Sequence, residues 1–129
     1  MNTSHAVKFA AIGALLTSPV LAHHSTAVNF NRNSEISVEG VITEYRFQNP
    51  HVQILLDVTN DDGEVERWMI EMSAKNQLLR SGWKGDEFVV GTRITVFASE
   101  GYRPRSGLLR RAIMPDGTEL RPGPILTQQ

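Results

Sequence analysis

Ile36-Ser37-Val38-Glu39-Gly40-Val41-Ile42-Thr43-Glu44-Tyr45-Arg46-Phe47 is the stretch that decides the fold. Side chains alternate across an extended strand. Ile36 and Val38 therefore fall on one parity, and Val41, Tyr45 and Phe47 on the other. The switch comes around Gly40, where a glycine bulge would bend one long strand so that it serves two sheets.

Downstream, Asn49-Pro50 interrupts the run. Residues 51–59 then alternate cleanly, with Val52, Ile54, Leu56 and Val58 on one face and His51, Gln53 and Asp57 on the other. Asn60-Asp61-Asp62-Gly63 reads as a hairpin turn with its glycine where a positive φ is needed. Residues 64–72 return as a third strand carrying Trp68, Ile70 and Met72 on one face. Ser73 is the expected N-cap of a short helix over residues 74–81, which Gly82 ends. A fourth strand is expected at 93–97, a polar loop at 99–107 and a fifth strand at 108–114. Asp116-Gly117 then turns into Thr118-Glu119-Leu120. Five strands with one helix between the third and fourth is the order of an OB-fold barrel. A β-sandwich would carry more short strands and no helix in that slot. The expected fold is mainly β: a small five-stranded OB-fold-like barrel with one short helix between strands 3 and 4.

Upstream, the pattern is different. His5 and Lys8 give a weakly basic start, no acidic residue precedes Glu35, and residues 9–16 are apolar. That stretch is too short to span a bilayer. Pro19 breaks it, and Val20-Leu21-Ala22 fits the small-residue rule for signal peptidase. The expected organisation is a secretory signal peptide at 1–22, a flexible histidine-bearing segment at 23–34, the β domain at 35–120 and a loose tail at 121–129. Export to the periplasm or beyond follows, with no membrane anchor left after cleavage.

The 129 residues carry a net charge of -1, with 40% hydrophobic and 21% charged residues, which is the composition of one globular domain. Cysteine is absent, which rules out a disulfide framework and thiolate metal sites. The near-neutral balance, with only a short basic edge at Arg105, Arg110 and Arg111, leaves nucleic acid out of the expected partners. Phosphate-binding glycine loops and catalytic triads are absent too, and the expectation is a protein that is not an enzyme.

Two chemistries remain. Cleavage after Ala22 would leave His23-His24-Ser25 at the terminus, and His51 would be the one other histidine of the mature chain. An N-terminal histidine offers its α-amine and imidazole to a single metal, and His24 or His51 adds another nitrogen. That donor set favours Cu(II). The candidate metal residues are thus His23, His24 and His51. The alternative is a small anionic ligand, or a protein partner, held at the rim of two loops that OB folds commonly use. Asn49 and His51 would lie on one side, Tyr102, Arg103 and Arg105 on the other, since guanidinium groups match planar oxyanions. The bland readings are solvated arginines and core tryptophans.

An ordered set of segments carries a resemblance over essentially the mature chain. They are His23-His24-Ser25, Val38-Glu39-Gly40-Val41-Ile42-Thr43, Asn49-Pro50-His51, Trp68-Met69-Ile70-Glu71, Leu79-Arg80-Ser81-Gly82-Trp83 and Gly91-Thr92-Arg93-Ile94-Thr95-Val96. Together they resemble DUF6152, a family of small secreted bacterial proteins with an Asn-Pro-His motif. The resemblance implies export and a single domain, and assigns no activity. Pro104 departs from the family, which often has a small residue there.

Overall fold

The computed structural model describes residues 29–123. The expected signal segment, His23, His24 and the end of the tail lie outside them. Seven elements follow in order: β1 (Phe30–Arg46), β2 (Gln53–Thr59), β3 (Val65–Glu71), α1 (Lys75–Arg80), β4 (Arg93–Gly101), β5 (Ser106–Ile113) and β6 (Glu119–Leu120). The sheet order is β3-β2-β1-β4-β5-β6, and a parallel pairing of β3 with β5 closes the first five strands into a ring. The protein is an OB-like barrel, and the two-residue β6 is an addition on its edge.

β1 explains how one strand serves both halves. Its first part pairs with β4 from Phe30↔Gly101 to Val41↔Arg93, and its last part pairs with β2 from Val41↔Asp57 to Arg46↔Gln53. The register shifts between Ile42 and Glu44, so the bulge lies at Thr43 and not at Gly40. One extra residue there lets both Ile42, 1% exposed, and Tyr45 pack inward despite their odd spacing. Gly40 has a different task. A Cβ at that position would lie 2.8 Å from the Asp57 carbonyl oxygen and 2.9 Å from Val58, so the glycine permits the tight approach of β2.

β1 also starts earlier than expected, at Phe30, which is buried and anchors the end of the strand. Ladder hydrogen bonds do not require apolar side chains, so the polar residues 31–35 can extend the strand along β4. For the same reason β4 continues through Ala98-Ser99-Glu100-Gly101, and the expected polar loop contracts to residues 102–105. Ser99 is buried within this extension, and its Oγ accepts a hydrogen bond from Arg110 Nε at 2.9 Å.

Helix α1 plugs the barrel with Leu78, beside Trp83 and Phe88. Its N-cap is Ala74, with no side-chain cap, instead of the expected Ser73. The Ser73 carbonyl is committed to the sheet, accepting Val52 N–H at 3.1 Å. Asn49 compensates from outside the helix, its Oδ1 accepting Asn76 N–H at 3.4 Å. The chain leaves the helix through Gly82 at φ 93°, as the sequence requires.

Tyr45 sits at the barrel end against Phe47 and Phe88, its hydroxyl donating to Glu87 Oε2 at 3.3 Å. Burial first, then the Glu87 carboxylate, pushes its phenol pKa well above the ordinary tyrosine value. The native state therefore holds a proton that the unfolded chain releases near pH ~10, so stability falls as pH rises past that point. Tyr45→Phe should flatten this alkaline loss, which urea midpoints measured between roughly pH 9 and 11 would reveal.

Candidate functional site

The loop between β1 and β2 holds Asn49, a cis Pro50 and His51. Asn49 is spent on the helix, as above. His51 Nδ1 lies 3.1 Å from Glu71 Oε2, and their side chains are 42% and 17% exposed. The register of the β2–β3 hairpin sets this contact. Gln53 is opposite Glu71, and Met72 N–H donates to Val52 O at 2.8 Å, which brings the start of β2 alongside the end of β3. In the Nδ1–H tautomer the ring donates to this carboxylate and leaves the Nε2 lone pair for another partner.

The loop between β4 and β5 is held from several sides. Tyr102 N–H donates to Asn29 O at 3.0 Å, Met69 N–H to Arg105 O at 2.9 Å, and Ser106 Oγ to Arg103 O at 2.7 Å. Arg105 adopts φ 54°, a left-handed conformation unusual for a residue with a side chain. Its guanidinium stands 3.9 Å from Glu66. Tyr102 is exposed.

The two loops are thus built, but not into one site. His51 answers to Glu71 and Arg105 to Glu66, five residues earlier on β3 and on its other face. At about 3.3 Å per residue that is roughly 16 Å along the strand. The structure brings Asn49 and His51 together, and Tyr102, Arg103 and Arg105 together, with no contact between the sets. The basic edge is likewise committed. Arg110 pairs with Glu35 at 3.2 Å, and Arg111 pairs with Glu119 and lies 3.5 Å over the Phe97 ring.

Among the described residues no group of three histidine, aspartate or glutamate side chains could hold a metal. A metal at His51 would need donors from His23 and His24. Sequence reasoning missed Glu71 as the partner of His51. It favoured core packing over a stacking role for Trp68. Trp68 does pack against the core, but it borders the Tyr102–Arg105 recess as well.

Strand pairing and these loops define a small OB-like β-barrel with a histidine–carboxylate pair at the end of β3 and an arginine loop alongside that strand. The chain belongs to DUF6152, a family of unknown function, which it matches over residues 13–110. No curated protein matches it. Among solved structures it is similar to a mitochondrial single-stranded DNA binding protein of S. cerevisiae, Rim1. Identity is 16%, over 68% of this chain and 94% of that one, with a TM-score of 0.46. It is also similar to the N-terminal domain of PriB from Thermoanaerobacter tencongensis. There identity is 20%, over 64% of this chain and 96% of that one, with a TM-score of 0.46. These neighbours correct one expectation. The exclusion of nucleic acid is withdrawn. It rested on net charge, which says nothing of how charge is laid out over one face.

Proposed function

We propose that the protein is an exported binding module that takes Cu(II). The donors would be the amine and imidazole of a mature terminus at His23, with His24 and His51 completing the nitrogen set. The observation that carries this reading is the His51–Glu71 pair. A carboxylate on Nδ1 fixes the tautomer and the ring direction of an imidazole whose Nε2 is to bind metal, and it raises the basicity of that nitrogen. A nitrogen-rich, tetragonal donor set suits Cu(II) above zinc.

Reach constrains the geometry. Because β1 begins at Phe30, the tether from His24 to Asn29 is five residues and spans at most about 17 Å. The described chain begins at Asn29, whose carbonyl accepts the Tyr102 N–H at 3.0 Å. A single added residue before His23 would remove the amine–imidazole chelate.

The test is intact mass of the protein recovered from the periplasm, then Cu(II) titration of that form followed by electron paramagnetic resonance. A mass starting at His23 and one tight, nitrogen-rich equivalent, lost when His23 and His24 are both replaced by alanine, is the expected result. A different terminus, or unchanged uptake by the double variant, overturns the reading.

A further inference from the structure

The β4–β5 loop encloses a recess of about 200 Å³ bordered by Trp68, Glu100, Tyr102, Arg103, Arg105 and Ser106. Four features of it have no role in the barrel. The Trp68 Nε1–H is buried and has no acceptor among the described residues. The Trp83 Nε1–H, in the core, is likewise buried without an acceptor, so what sets Trp68 apart is its place on the border of the recess. The Arg103 side chain makes no hydrogen bond or ion pair with any described residue, although arginine presents five donors. Arg105 holds only a long 3.9 Å contact to Glu66 Oε1, and it does so from a left-handed backbone that a side chain disfavours. Tyr102 presents its ring at 66% exposure beside them.

The loop is also fixed in advance. Three hydrogen bonds tie residues 102–106 to β3, to Asn29 and to one another. At Gly101 an added Cβ would fall on Ser106 Oγ, which shows how closely the two flanking strands meet there. Such rigidity reduces the ordering cost of binding. Two guanidinium groups border the recess against one carboxylate, Glu100, which already accepts Ser34 Oγ at 3.0 Å. Glu66 stands beside Arg105 and accepts Asn60 Nδ2 at 3.4 Å as well. The surplus donors and the surplus of one positive charge among the lining residues have a common complement.

We propose that this recess binds a small oxyanion, a carboxylate or a phosphate group, with Arg103 and Arg105 as the charged donors and the Trp68 indole bordering the bound group. Guanidinium forks match such oxygens in pairs. The site is separate from His51 and from any terminal copper, so either can fail without the other.

The two tryptophans make the test direct. In an amide and indole correlation spectrum of the 15N-labelled chain, Trp68 and Trp83 give the two indole signals. Trp83, 2% exposed in the core, is an internal reference for an intact fold. Sodium acetate and sodium phosphate would be titrated separately against sodium chloride at matched ionic strength and fixed pH. They would be taken to about 50 mM, well past a millimolar affinity. The expected result is a saturable shift of the Trp68 signal, identified by its loss in Trp68→Phe, with Trp83 unmoved. Arg103→Ala and Arg105→Ala should each weaken it roughly three- to tenfold, as expected for loss of a charge-assisted hydrogen bond at a half-exposed position. Saturation by acetate alone assigns a carboxylate, by phosphate alone a phosphate, and by both a general oxyanion site. No saturable shift with either, or a shift that survives replacement of both arginines while Trp83 stays in place, overturns the proposal.

Discussion

Leu56→Ala should lower the unfolding free energy by about 2–5 kcal/mol, whereas Leu55→Ala, one residue away, should cost a small fraction of that. Leu56 is completely buried in the centre of β2 and is flanked across the sheet by Ile42 on β1 and Trp68 on β3. Removing its side chain opens a cavity in a layer that three strands share, and close-packed neighbours relax only partly into it. Leu55 points the other way and is partly exposed opposite Met69. For a single domain whose total stability is about 5–15 kcal/mol, the first loss approaches unfolding and the second does not. Urea denaturation checks both: the Leu56 variant should lose midpoint with an unchanged slope. Equal losses at both positions would contradict the strand orientation, and with it the bulge at Thr43 that brings Ile42 into the same layer.

That bulge also shows where the sequence was legible and where it was not. Clean alternation at Val52, Ile54, Leu56 and Val58 fixed the inward face of β2, and the structure buries the first three completely. In β1 the parity switch was visible, but its position was not. Gly40 is the residue that usually marks a bulge, yet here it answers a steric need of the neighbouring strand. Strand ends were harder still. Nothing in Asn31 or Glu35 advertises a strand, because what holds them is a β4 ladder sixty or more residues away.

The candidate residues divided in the same manner. Residue type singled out His51, Arg103 and Arg105, but residue type carries no partner. His51 meets Glu71 because the hairpin turn is one residue longer than a two-residue loop, with Asn60 N–H donating to Glu64 O and Gly63 N–H to Asn60 O. A turn one residue shorter would shift every pair along β2 and β3 and put Glu71 out of register with Gln53. Trp68 was read as core from its parity, which is correct for its ring. Its unsatisfied N–H is a fact of packing that no pattern of residues displays.

Replacing Glu71 by glutamine should weaken Cu(II) binding by the mature protein about 10–100-fold, and His51→Ala should weaken it further. Glutamine keeps the size of the side chain and can still accept a hydrogen bond, so a purely structural contact would survive. What it removes is the negative charge that orients the imidazole and makes Nε2 a better donor. Glu71 is a positioning residue in this scheme, acting through His51 and not on the metal, so its effect must vanish when His51 is absent. In a His51→Ala background Glu71→Gln should change copper affinity by less than about twofold, the signature of two residues acting as one unit. The electron paramagnetic resonance spectrum supplies an independent reading: loss of His51 should remove one nitrogen coupling, whereas loss of Glu71 should retain the nitrogen count at lower affinity. If His51→Ala binds copper as tightly as the parent, any copper site belongs to the terminus alone. His51 with Glu71 would then be a hydrogen bond that closes the mouth of the β2–β3 hairpin and nothing more.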